Sequence, residues 1–325
     1  MIRKKKFKFG VFIRNIILVI LAIILGWIIV NVTFTAFEQK KYLPIGQLVD
    51  VDGENIHIYT KGHGENTIVL LPGLGTAAPT LDFEPLINEM SKKNKVVVVE
   101  PFGYGWSDIT NKERTVENIV EEIRLALQKA NIKGPYILMP HSISGIYSIY
   151  YADKYPDEIK AVIGIDPTLP KALEYFNESA PTMPSFMRFI APTGIARLVL
   201  LVAPERFLPI ADAGTYSEQN LKVTKTISVW KCYNKNVVAE AKEISNNIDK
   251  TLDMSFSAEM PVLIFTARKD KITEDGKSNI TFYQTYLSKL TSKKLVDLEG
   301  HHYLHWTRYK EMNQYVNEFI NNYCK

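Results

Sequence analysis

Val96-Val97-Val98-Val99 places four β-branched residues in a row, apolar on both faces of any strand they form. A strand of that kind has to be covered on both sides, as in a parallel sheet with helices packed on each face. Comparable strand-like stretches recur at residues 47–51, 55–60, 67–71, 95–100, 136–139, 161–165, 261–265 and 294–298. Amphipathic helical stretches fall among them, at 83–92, 116–130, 143–154, 278–290 and 309–321. This alternation predicts an α/β fold around an eight-stranded, mostly parallel sheet. The first two strands, joined by Asp52-Gly53-Glu54, read as an antiparallel hairpin at its edge. With 46% of the 325 residues hydrophobic, there is ample material for one large core.

Two intervals break the rhythm. Residues 168–259 contain no convincing strand but many turn signals, among them Pro181, Pro184, Pro192, Pro204, Pro209 and Gly214. An insertion of this size after a strand predicts a small helical cap above the sheet's carboxyl end. The other interval is the start of the chain. Arg3, Lys4, Lys5, Lys6, Lys8 and Arg14 precede an uncharged run that continues to Phe37. About 20 mainly apolar residues suffice to cross a bilayer as a helix, so residues 16–37 are expected to be a membrane anchor. The basic cluster places residues 1–15 in the cytoplasm and the rest of the chain beyond the membrane. A cleaved signal peptide has a similar outline, but no small-x-small cleavage site follows, since Phe34 stands two residues before Ala36. Residues 38–46 then form a tether, and 47–325 the main domain.

Elsewhere Lys and Glu are interspersed within a net charge of +4, which leaves no basic patch for nucleic acid. Cys232 and Cys324 are too few and too far apart for a disulfide framework or a metal-binding spacing.

The chemistry gathers at strand ends. Pro140-His141-Ser142-Ile143-Ser144-Gly145 follows an apolar strand and opens a helix, the setting of a nucleophile elbow. Ser142 is the expected nucleophile. Ser144 would need a small residue where bulky Ile146 stands. Acyl transfer by serine also requires a base, a group that orients it, and donors for the oxyanion. Three histidines fall within Glu299-Gly300-His301-His302-Tyr303-Leu304-His305. His302 is the expected base, His301 the fallback, and His305 a structural residue. Asp270, in the loop after the strand at 261–265, is the expected orienting acid, with Asp166 in Ile165-Asp166-Pro167 as the alternative. The glycine-rich turn Leu71-Pro72-Gly73-Leu74-Gly75 offers the Leu74 N–H as an oxyanion donor beside that of Ile143.

Together these segments resemble the α/β-hydrolase superfamily from about Gln47 to Tyr323. Leu-Pro-Gly-Leu-Gly sits where that family usually has His-Gly-x-Gly. Pro101-Phe102-Gly103-Tyr104-Gly105-Trp106-Ser107-Asp108 resembles its G-x-G-x-S-D turn, and the elbow is similar to Gly-His-Ser-x-Gly-Gly. Pro72, Pro140 and Ser144 depart from the pattern. The order Ser…Asp…His is the one this fold uses. Serine at the nucleophile position argues against the dehalogenase and epoxide hydrolase branches, which carry aspartate there.

The resulting expectation is a membrane-anchored serine hydrolase that cleaves a small-molecule or lipid ester without metal or organic cofactor. Two other readings remain open. A peptidase acting on N-terminal residues would need an acidic pair in the cap, where Glu174, Glu178 and Glu205 are found. A binding protein that keeps the fold would need no chemistry at all.

Overall fold

The structure, a computed structural model, describes residues 9–268, 273 and 275–324. Eight strands form one sheet: β1 (Gln47–Val51), β2 (Glu54–Lys61), β3 (Thr67–Leu71), β4 (Lys95–Glu100), β5 (Tyr136–Pro140), β6 (Ile159–Ile165), β7 (Val262–Arg268) and β8 (Lys293–Glu299). Their order is β1-β2-β4-β3-β5-β6-β7-β8. β2 runs antiparallel to β1 and β4, and every other neighbouring pair is parallel.

The four valines show why the sheet is layered. Val97 and Val99 pack into one core with Val116, Ile119, Ile123 and Ile146, while Val96 and Val98 pack into another with Phe83, Leu86, Met312 and Phe319. All four are fully buried, and each contributes roughly 1.5–3 kcal/mol by leaving water.

A long helix, α1 (Phe9–Lys41), precedes the sheet. Short helices α2 (Pro79–Asp82) and α3 (Glu84–Met90) follow β3, and α4 (Val116–Lys129) follows β4. The Thr115 side chain caps α4 by accepting from the Asn118 N–H. Helix α5 (Ser144–Lys154) leaves the end of β5. Between β6 and β7 come α6 (Ala172–Phe176), α7 (Ile195–Val202), α8 (Glu218–Lys231) and α9 (Lys235–Thr251), with 3-10 turns at Ser185–Phe189 and Pro204–Phe207. Ser217 and Asn234 cap α8 and α9 with their side chains. Helix α10 (Asn279–Leu287) separates β7 from β8, and α11 (Leu304–Thr307) and α12 (Tyr309–Tyr323) close the chain.

The observed strands overrun the expected ones at the ends. β7 continues three residues past 265 because Thr266, Ala267 and Arg268 still pair with β8, although the apolar run has stopped. β6 begins two residues early, at Ile159, which pairs with Tyr136 across a register shift.

Helix α1 is apolar and almost wholly exposed, with a mean hydropathy of 2.9 and 6% burial over its most apolar window. It corrects the expected tether at 38–46, since the helix persists to Lys41. Contacts with the cap explain this. Arg197 donates to both Glu38 carboxylate oxygens at 2.7 Å and to Asn31 Oδ1 at 3.0 Å. Trp230 Nε1 donates to Glu38 Oε2 at 2.9 Å. Asn31, buried within the helix, donates to the carbonyls of Ala191 and Pro192 at 3.2 and 3.3 Å.

Candidate active site

Ser142 occupies the turn between β5 and α5 with φ of +53°, a left-handed conformation that costs an L-residue energy and is held by its surroundings. Its N–H donates to Ile165 O at 3.2 Å, and its carbonyl accepts from Gly145 and Thr168 N–H at 2.9 and 2.8 Å. The turn is tight enough to demand glycine next to it. A Cβ on Gly145 would lie 2.3 Å from Thr168 O, and one on Gly73 would lie 2.8 Å from His141 Nδ1 and 3.1 Å from Ser142 Cβ.

Ser144 is buried, and its hydroxyl donates to Pro72 O. That bond ties the elbow to the glycine-rich turn and gives the departure at this position a structural role. Ser142, by contrast, is partly exposed, and among the described residues its hydroxyl makes no hydrogen bond, to His302 or otherwise. Catalytic hydrogen bonds are often long in an empty site and tighten only around substrate.

His302 Nδ1 donates to Asp166 Oδ2 at 2.7 Å. Asp166 follows β6 directly, is buried, and takes a positive φ of 41°. Its second oxygen accepts from Thr266 Oγ1 at 3.1 Å and from the Ala267 N–H at 3.4 Å, so β7 fixes the carboxylate. The acid in contact with the histidine is therefore Asp166, the alternative from sequence. Asp270 lies outside the described residues. Nothing in the sequence signals the support from Thr266, because it arises from the neighbouring strand.

The three clustered histidines have separate surroundings. His301 Nδ1 accepts from the Tyr303 N–H at 3.0 Å, and the ring faces the cap through Ile210 O at 3.5 Å. His305 is fully buried, with Nε2 2.7 Å from Asp82 Oδ2, and Trp306 Nε1 donates to the other Asp82 oxygen at 2.8 Å. His302 alone meets Asp166. Its ring packs 4.7 Å from that of His141, beside the elbow. His141 Nε2 donates to His302 O at 3.2 Å. Burial, with His305 and His302 nearby, pushes the His141 imidazole well below its ordinary pKa, so it stays neutral.

The N–H groups of Leu74 and Ile143 donate to no acceptor among the described residues. Next to them, the Gly75 N–H donates to Tyr104 Oη at 3.2 Å. Tyr104 and Tyr147 both donate to Glu240, at 2.7 and 2.8 Å. Burial raises the Glu240 carboxyl, while the two phenol bonds favour its charged form. This carboxylate on α9 links the cap to both the glycine-rich turn and α5, a connection that no sequence motif announces.

A cleft of about 380 Å³ lies between floor and cap, lined by Gly75, Thr76, Ile195, Val199, Tyr303 and Trp306. A larger cavity of about 590 Å³ separates α1 from the cap, away from Ser142, with Val32, Ala36, Phe189 and Trp230 in its walls. Among the described residues, no group of three or more His, Cys, Asp or Glu is arranged to hold a metal.

Comparison with known proteins agrees with this architecture. The model of the alpha/beta hydrolase fold family matches residues 66–309. The chain is 30% identical over 284 residues to the uncharacterized protein YbdG of Bacillus subtilis (strain 168), with 85% of each chain covered. It is 32% identical over 123 residues to serine hydrolase BPHL of Mus musculus, spanning 35% of this chain and 40% of that protein. Among solved structures, epoxide hydrolase VrEH1 from Vigna radiata superposes with a TM-score of 0.64 at 16% identity, covering 85% of this chain and 97% of that one. That likeness is one of fold.

Proposed function

Because the chain belongs to the α/β-hydrolase fold family, we propose that this hydrolase is a membrane-anchored serine esterase whose nucleophile is Ser142, with His302 as base and Asp166 as orienting acid. The observation that carries the reading is the His302–Asp166 hydrogen bond of 2.7 Å beside an elbow serine whose hydroxyl is uncommitted.

The steps follow from that arrangement. Ser142 Oγ attacks the ester carbonyl carbon while His302 Nε2 takes its proton, and Asp166 holds Nδ1–H so that Nε2 faces the reaction. The tetrahedral oxyanion accepts from the Leu74 and Ile143 N–H groups. As it collapses, the C–O bond breaks, the alcohol leaves with the proton from His302, and the acyl group remains on Ser142. A water then gives His302 a proton and attacks the acyl carbon; as this second tetrahedral intermediate collapses, the bond to Ser142 Oγ breaks, His302 returns the proton to that oxygen, and the carboxylic acid leaves. The apolar cap wall of the cleft, formed by Ile190, Ile195, Ala196 and Val199, favours an ester with a hydrocarbon acyl chain.

The anchor rests on two supports. Helix α1 is long, apolar and exposed. It also holds Arg197 and the Ala191 and Pro192 carbonyls of the cap through Asn31 and Thr35, which cleavage after Ala36 would remove. Arg3, Lys4, Lys5, Lys6 and Lys8 before the span favour a cytoplasmic N-terminus and a domain on the far side.

Treatment of the full-length protein in detergent with a fluorophosphonate probe, beside a Ser142→Ala control, tests the assignment. Labelling that vanishes in the control is expected. A folded wild type that resists the probe, or a control that still labels, would overturn it.

A further inference from the structure

We infer that the cap segment from Ser185 to Val202 is submerged in the lipid leaflet on the carboxyl side of α1, so that the cleft between the cap and the floor residues Gly75 and Tyr303, neighbours of Leu74 and His302, draws its acyl chain directly from the bilayer. The inference rests on the reading of α1 as a retained anchor and deepens it by naming bilayer lipid as the source of substrate.

Depth along α1 carries the argument. At 1.5 Å per residue, Asn31 lies about 10 Å and Trp27 about 16 Å below Glu38. A span of about 20 residues that begins at Ile16, the first position after Arg14 and Asn15, ends near Thr35. Trp27 and Asn31 therefore fall within the hydrocarbon. The cap reaches both: a Cβ on Gly194 would lie 2.7 Å from Trp27 Nε1 and 2.9 Å from Asn31 Cβ, and Ala191 and Pro192 accept from Asn31. The segment that makes these contacts has to share their depth.

Its outward chemistry matches. Outside α1, seven of the twelve large apolar side chains exposed among the described residues lie between Phe186 and Ile210. Phe186, Leu201 and Val202 are 68%, 70% and 83% exposed. Such a patch is costly in water and favourable in lipid. Helix α7 is apolar on both sides: Ala196 and Val199 face the cleft, while Leu198, Leu201 and Val202 face outward. One helix thus separates the cleft from the leaflet. Arg188, exposed near the start of the segment with its guanidinium 4.9 Å over the Phe189 ring, and Arg206, exposed just past its end, can reach up to lipid phosphates.

The test uses full-length protein in phosphatidylcholine vesicles. An environment-sensitive fluorophore is placed on Val202→Cys, with Glu259→Cys, exposed just before β7 at the sheet's other end, as control. Labelling of wild type measures the background from Cys232 and Cys324. Lipids brominated on their acyl chains should quench the Val202 probe at least about twofold and leave the Glu259 probe unchanged. Equal quenching at both sites, or none at Val202, would overturn the inference. Leu201→Asp with Val202→Asp should lower turnover of a vesicle-borne long-chain ester at least about tenfold and spare a soluble short-chain ester, because charge is expelled from hydrocarbon. Equal loss on both esters counts against it. Retention of the wild type by vesicles in alkaline carbonate reports on the anchor by itself, and the quenching measurement requires no hydrolysis, so each reading can fail separately.

Discussion

His302 Nδ1 donates to Asp166 Oδ2 across 2.7 Å, and the other oxygen of the same carboxylate is held by Thr266 and Ala267 of the neighbouring strand. The two residues are 136 apart in sequence and meet because β6 and β8 flank β7, which brings the loop after β8 to the end of β6. In the proposed mechanism this bond sets the tautomer of the base. Asp166→Asn, which keeps the shape and loses the charge, should lower kcat by a factor on the order of 10³–10⁴. Asp270→Asn should leave kcat near the wild-type value. Steady-state hydrolysis of a chromogenic ester decides between them, and the reverse outcome would return the orienting role to Asp270.

Gly145 is a packing requirement of the elbow. Alanine there brings Cβ to 2.3 Å from a backbone oxygen and 2.8 Å from Pro167, neither of which is a flexible side-chain end. Gly145→Ala should cost about 1–3 kcal/mol, the usual range for overpacking. It should also slow fluorophosphonate labelling, since the shift passes through Thr168 to Ser142. Urea denaturation checks the first effect, and wild-type stability in the variant would refute it.

His141 predicts a pH dependence of stability. Its folded pKa is depressed by burial and by its histidine neighbours, whereas the unfolded chain titrates near the ordinary value of about 6.5. Above that value both states are neutral and the site carries no pH penalty. Below it the unfolded state binds a proton that the native state refuses, so stability falls by up to about 1.4 kcal/mol per pH unit from this group. Thermal unfolding between pH 7.5 and 5.0 should show a shallower slope in His141→Gln than in wild type. Parallel slopes would contradict the assignment.

Arg197 and Glu38 form a largely buried, bidentate pair with side chains 12% and 17% exposed. Removing one partner strands the other's charge. Arg197→Ala or Glu38→Ala should each destabilise full-length protein by about 3–5 kcal/mol, while Arg197→Met with Glu38→Leu should cost clearly less. Thermal unfolding in detergent distinguishes these cases. A double variant weaker than either single one would show that the pair itself, rather than the avoided stranded charge, stabilises the contact.

The sheet was readable from the sequence because burial on both faces leaves a mark in composition, as Val96 to Val99 illustrate. Strand ends were less so, since Thr266 and Arg268 are polar and owe their extended state to pairing with Asp297 and Glu299. The elbow and the histidine segment were legible as local motifs. Choosing between two aspartates was not, because both follow strands at the same end of the sheet and the choice depends on which one the histidine loop reaches. Glu240 and Arg197 were invisible for a related reason: their partners lie 136 and 159 residues away and belong to no repeating pattern.

The fastening of the cap to α1 makes the helix part of the body that surrounds the site. Asn31, Thr35 and Glu38 hold the cap from the side of α1, and residues 42–46 link α1 to β1. The same cap is bonded to α5 and the loops over the sheet, through Glu240 with Tyr104 and Tyr147, Asn234 with Gly103 O and Asn236 with Thr110. A pull on the helix therefore reaches the loops around the cleft through side chains of the cap, without passing through the sheet.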